Sequence, residues 1–153
     1  MGIFSPKKTK DFFSEQEKEL IVLAIQKAEK ITSGEIRVYV ENTCNNQNPV
    51  ERAAQIFAEL NMQLTQQRNG VLVYIAIQSR KLAIYGDVGI HEKVGQEFWE
   101  KAVQEMLQHF NVHHFAQGIA IIIDKIGNAL ATHFPYHTAT DGNELPDDIV
   151  FGD

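Results

Sequence analysis

The stretch Val-Leu-Val-Tyr-Ile-Ala-Ile, Val71 to Ile77, constrains the fold more than any other part of this chain. An unbroken apolar run rich in β-branched residues reads as a strand buried on both faces, so its sheet needs a layer of helices above and below. Asn69-Gly70 turns the chain into that run. Only Gln78-Ser79-Arg80 separates it from Lys81 to Tyr85, so the two runs are expected to pair as a hairpin.

The flanking segments supply the rest of the sheet and its cover. Ser14 and Glu17 form a capping box, and Leu20, Ile21, Ala24, Ile25, Ala28 and Ile31 then recur at helical spacing until Ser33-Gly34. Glu35 to Glu41 alternates, with Ile36, Val38 and Val40 on one face and a wetter face opposite. Asn48-Pro49 starts a second helix, striped by Val50, Ala53, Ala54, Phe57 and Leu60. A strand, a helix and a second strand make a right-handed βαβ unit with parallel strands. Two more helices follow, one striped by Val94, Phe98, Ala102, Val103, Met106 and Phe110. The other carries Phe115, Ile119, Ile122, Ile123, Ile126 and Leu130, and Pro135 stops it. The expected fold is α/β: a three-layer α/β/α sandwich whose small mixed sheet joins a parallel βαβ unit to a hairpin. It divides into an N-terminal segment 1–13, a domain over 14–135 and an acidic C-terminal tail over 136–153.

Charge and cysteine usage narrow the function classes. Of the net charge of −6, the stretch from Pro135 onward carries −5, through Asp141, Glu144, Asp147, Asp148 and Asp153 with no Lys or Arg. Such a tail serves solubility, or attracts cations or a basic partner. No basic stripe exists, which argues against nucleic-acid binding. Cys44 is the single cysteine, so no internal disulfide forms and a reducing compartment is favoured. Lys7, Lys8 and Lys10 lead to Asp11 rather than to the apolar core of a signal peptide. No apolar run, Gly118 to Asp124 included, approaches the roughly 18 residues that span a membrane. The expectation is a cytoplasmic monomer without direct membrane insertion.

The hairpin has a chemical consequence. It returns Gly86-Asp87-Val88-Gly89 to the sheet edge where Gly34-Glu35 and Asn69-Gly70 begin their strands. A helix starting near His91 would aim its N–H groups there, with Glu92 in its first turn. Glu35, Asn69, Asp87 and Glu92 are therefore candidates for one oxygen-rich site suited to a hard cation, Ca²⁺ or Mg²⁺. The plainer alternative is turn chemistry, with Glu35 capping or pairing locally. His109, His113 and His114 cluster at a helix junction; they could hold Zn²⁺ or Ni²⁺, but the solvated helix end is the preferred reading. Cys44 has no His or Lys nearby and reads as inert. Trp99 and Phe98 read as core or partner-face aromatics. No phosphate loop, nucleophile elbow or zinc-protease motif occurs.

Ser33-Gly34-Glu35-Ile36-Arg37-Val38, Arg68-Asn69-Gly70-Val71-Leu72, the Gly86-Asp87-Val88-Gly89-Ile90 turn and Gly118 before an apolar helix together resemble the TPM domain family. The likeness runs over residues 14 to 135, and Phe134-Pro135-Tyr136 with Asn143 to Asp147 resembles the short, signal-free bacterial branch. The connector Phe110 to Phe115 and the Gly-Asp-Val-Gly turn depart from the pattern of exported relatives. The resemblance implies an α/β/α sandwich, divalent-metal binding, and a link to weak acid-phosphatase activity and photosystem repair in the plant thylakoid branch. It also implies a membrane-protein partner of the LemA family, because short bacterial members are commonly encoded beside one. The first expectation is thus a metal-binding interaction module acting with such a partner. The alternative is a metal-dependent acid-phosphatase-like hydrolase, in which Glu35 and Asp87 hold the cation and Arg37 or Arg68 supplies positive charge to the phosphate. A third is a structural partner of a membrane protein, with the rim serving only as turns.

Overall fold

The structure is a computed structural model that describes residues 9–110, 114–136 and 145–152. His113 and His137, the acids Asp141, Glu144 and Asp153, and the lysines Lys7 and Lys8 lie outside the described residues.

Among those residues, five α-helices surround a four-stranded sheet. After a 3-10 turn at Thr9–Asp11, the elements are α1 (Glu15–Glu29), β1 (Glu35–Glu41), α2 (Pro49–Glu59), β2 (Gly70–Ala76), β3 (Lys81–Gly86), α3 (Val88–Val94), α4 (Gln96–Phe110), α5 (Phe115–His133) and β4 (Ile149–Phe151). The strand order is β3-β2-β1-β4. β1 pairs parallel with both β2 and β4, and β2 pairs antiparallel with β3. The α/β sandwich and its parallel-plus-hairpin sheet are as the sequence implies.

Each local signal has a visible cause. Ser14 accepts from the Glu17 amide while Glu17 accepts from the Ser14 amide, which closes the capping box. Asn48 caps α2, with Pro49 at its first turn. Val71 to Ala76 is wholly buried, because apolar clusters press on both sides of it. On one face Ile36, Val38 and Val40 join Val71, Val73 and Ile75 beneath α1, α4 and α5. On the other, Leu72, Tyr74 and Ala76 pack against Ala53, Ile56 and Phe57 of α2. Each fully buried Val, Leu, Ile or Phe contributes about 1.5–3 kcal/mol relative to exposure, so this two-sided burial dominates stability.

Four features differ from the sequence expectation. Leu20, Ile31 and Val50 are exposed rather than part of their helical stripes, since the α1 and α2 contact faces are narrower than the apolar pattern. The single helix expected from near His91 is two: α3 starts at Val88, capped by Asp87, and Gly95 at φ 82° breaks it before α4. The second face of β1 is not wet. Glu35, Arg37 and Glu41 are buried there. Finally, the end of the stretch read as an extended tail forms β4 and extends the sheet along β1.

Buried charge on that face of β1 is compensated. Arg52 of α2 donates to both Glu41 carboxylate oxygens at 2.9 Å, and the Tyr74 hydroxyl donates to the same carboxylate. Burial and the Glu41 carboxylate raise the Tyr74 phenol well above the usual tyrosine range. Arg37 meets Asp148 at 3.5 Å.

Candidate functional site

The turn between α1 and β1 is stitched to the end of α5. Ser33 N–H donates to the Phe134 carbonyl at 3.0 Å, and the Thr32 hydroxyl donates to the same oxygen. A Cβ at Gly34 would lie 2.7 Å from Leu130, so glycine lets this turn lie flat on α5. The start of β1 is thereby held at a fixed height beside the C-terminal turn of α1.

A cavity of about 360 Å³ opens there. Glu29, Thr32, Ser33, Glu35, Tyr136 and Asp147 are among the residues that line it. Three of these are carboxyls from three segments: the last turn of α1, the first residue of β1 and the approach to β4. The Glu29 carboxyl is pushed up to about 11, first by burial, then by hydrogen bonds to Glu35 and Asp147, then by their charge. Two carboxylates cannot share a hydrogen bond without a proton between them, and here Glu29 keeps that proton at neutral pH.

Asn69 braces two residues of this wall. Its carbonyl accepts from the Glu35 amide at 3.4 Å, and its side-chain amide donates to Ser33 Oγ, in the cavity wall, at 3.2 Å. The residue is 1% exposed, and its Oδ1 is buried without a hydrogen-bond partner. An orphaned amide oxygen costs about 1–3 kcal/mol, which a ligand could recover.

Of the residues expected from sequence, three share one end of the sheet. Glu35 is in register with Gly70, and the Asp87 amide donates to the Gly70 carbonyl at 2.9 Å. The Asp87 side chain, however, is committed elsewhere. It accepts from Arg68 at 2.6 and 2.8 Å and caps α3 through the Val88 amide at 2.7 Å. Arg68, considered as a phosphate contact from sequence, is that carboxylate's counterion. Glu92 is exposed in the second turn of α3, not the first. His114 is exposed, and His109 packs on Gly118, where a Cβ would sit 2.5 Å away.

Glu29 and Asp147 are the partners that sequence reasoning missed. Glu29 carries a usable signal, because a carboxylate in the last turn of a helix opposes the helix dipole. Asp147 carries none, since only the pairing of β4 with β1 brings it to the cavity.

The lining offers carboxyl and hydroxyl oxygens, the donor type a hard cation takes, with the Lys30 ammonium group beside them and no sulfur or imidazole. Among the described residues, no group of three or more His, Cys, Asp or Glu side chains is placed to hold a metal ion.

The family model for the TPM domain matches residues 7–129. The NMR structure of the BA42 protein from the psychrophilic bacterium Bizionia argentinensis is 40% identical with a TM-score of 0.85, over 95% of this chain and 99% of that one. The solution structure of the N-terminal domain of the cg2496 protein from Corynebacterium glutamicum shares the fold, with a TM-score of 0.60 and 13% identity. It covers 95% of this chain and 90% of that one. No curated protein matches the chain.

Proposed function

Because the chain belongs to the TPM domain family, we propose that it is a divalent-cation-binding interaction module, with its site at the cavity between α1, β1 and the approach to β4. Glu29, Glu35 and Asp147 would supply the carboxyl oxygens, with Glu29 giving up its proton on binding. The observation that carries this reading is the meeting of three carboxyls from three segments in one cavity. Ca²⁺ or Mg²⁺ suits oxygen ligands of this kind, and Ca²⁺ tolerates the irregular arrangement better. Asp87 and Glu92 drop out of the ligand set, the first because Arg68 neutralises it and the second because it is exposed.

The partner suggested by the family resemblance, a LemA-family membrane protein, remains part of the proposal. An exposed apolar strip on α1 and α5, formed by Leu20, Leu23 and Ile121 around the Lys27–Asp124 pair, offers it a face. No described helix is long and apolar enough to cross a membrane.

A phosphatase-like reading has one observation in its favour. Arg37 projects from β1 two residues after Glu35, and its Nε is buried without a hydrogen-bond partner. A phosphoryl oxygen could engage such a donor beside a bound cation.

Calcium titration of ¹⁵N-labelled protein tests the main reading. Amide shifts are expected at Ser33, Gly34, Glu35, Asn69 and Asp147, and Glu35→Gln is expected to abolish them. Shifts confined to other regions overturn the site. Hydrolysis of p-nitrophenyl phosphate that survives Glu35→Gln and Arg37→Met would remove the phosphatase-like alternative.

A further inference from the structure

β3 is an edge of the sheet, and among the described residues no strand pairs with its outer side. One step beyond the Val71–Gly86 pair, the Asp87 amide donates to the Gly70 carbonyl directly opposite. The alternation of an antiparallel ladder then turns the backbone groups of Leu82, Ile84 and Gly86 away from β2. Leu82 and Ile84 line a groove of about 260 Å³ whose walls include Val50 of α2 and Trp99, Glu100 and Val103 of α4. The edge is recessed between those helices, for Leu82 and Ile84 are each 5% exposed. Sheet edges are commonly blunted by charges, bulges or proline, and β3 has only Lys81, exposed at its first residue.

We propose that this groove takes an extended, apolar and basic peptide segment of a partner protein, which adds to β3 as a further strand of the sheet. The surface is separate from the carboxyl cavity and works without any cation. The recess chooses between occupants. Paired strands lie about 4.8 Å apart, whereas packed helices need about 8–10 Å between their axes. A second copy offering its own β3 would bring its α2 and α4 into space that these helices already fill. A bare strand brings none. The walls set the composition of that strand. Val50, which is exposed, and Val103, which is half-buried, meet apolar side chains on its two faces. Among the described residues of the lining, Glu100 carries the only charge, and it is exposed. It follows Trp99, whose ring lies against Gly86, so it marks the end of β3 away from Lys81. A Lys or Arg of the peptide therefore belongs at the Gly86 end, where Glu100 attracts it, and is repelled at the Lys81 end.

A phage-displayed random-peptide library, selected on the immobilised full-length protein, supplies the probe, and the enriched sequences are then synthesised. They are expected to alternate apolar residues and to carry a Lys or Arg. Titrated into ¹⁵N-labelled protein, they are expected to shift the Leu82, Ile84 and Gly86 amides, to slow their hydrogen exchange and to give intermolecular NOEs to the Val103 methyls. Glu100→Lys, a change at an exposed position, should keep the fold and weaken a basic peptide about fivefold. Failure to enrich any sequence, shifts confined to residues away from β3, or equal affinity for the wild type and Glu100→Lys each overturn the proposal. So does a shift of the same three amides with protein concentration in the absence of peptide, together with sedimentation as a dimer, which would give the groove to a second copy.

Discussion

The Arg68 guanidinium closes on the Asp87 carboxylate from two directions, Nε to Oδ2 at 2.6 Å and Nη2 to Oδ1 at 2.8 Å. Asp87 is buried while half of the Arg68 side chain faces solvent, and Arg68 holds a left-handed backbone at φ 51° to make the reach. The pair is a structural lock on the β3–α3 corner.

Asp87→Ala is therefore expected to remove the cap of α3 and lower stability by about 1–2 kcal/mol, measured by urea unfolding. The calcium response of Ser33 to Glu35 should persist in that variant. A lost response would return Asp87 to the ligand set.

The Glu41–Arg52–Tyr74 network gives a larger effect. Arg52→Met strands a buried carboxylate, and a loss of about 3 kcal/mol is expected. Tyr74→Phe removes one donor and should cost about 1–2 kcal/mol. The double variant should lose less than the sum, because both residues serve the same carboxylate. Additive losses would refute a shared network.

Trp99, the chain's one tryptophan, reports on another close approach. A Cβ at Gly86 would lie 2.4 Å from its ring, and its indole N–H donates to His91 Nδ1 at 3.0 Å. Gly86→Ala is expected to displace the indole, cost about 1–3 kcal/mol and shift tryptophan emission to the red. Unchanged emission would show that the corner absorbs the methyl group without moving the ring.

The sequence made the layers legible because they depend on local patterns. The capping box at Ser14, the Asn48-Pro49 start and the unbroken run from Val71 each act within a few residues. The sheet edge shared by Glu35, Asn69 and Asp87 was equally legible, since a βαβ unit followed by a hairpin has little topological freedom. What those side chains do there was not. Asp87 is neutralised by Arg68, 19 residues away, and Glu35 is joined by Asp147 through a strand that alternation cannot reveal in three residues. Local chemistry placed the candidates, and long-range pairing chose among them.

Glu29 makes stability depend on pH. In the fold it keeps its proton up to about 11, against an ordinary value of 4.5, chiefly because of burial. Between those values the unfolded chain has released a proton that the native state retains, so raising the pH favours unfolding. The contribution is complete below the lower value and lost as pH rises toward the upper one. In EDTA, the urea midpoint of the wild type relative to Glu29→Gln is expected to fall steadily from about pH 5 to about pH 9. Ca²⁺ should flatten that decline, and parallel curves for the two proteins would refute the assignment.

Thr9 and Gly152 touch although they lie 143 positions apart. β1 enters the sheet early in the chain, yet one of its flanks stays bare until β4 has been synthesised. Contacts this distant close late in folding. A nascent or truncated chain therefore presents a parallel strand edge that another nascent copy can pair with. Once docked, β4 covers that edge and keeps it from pairing with another copy.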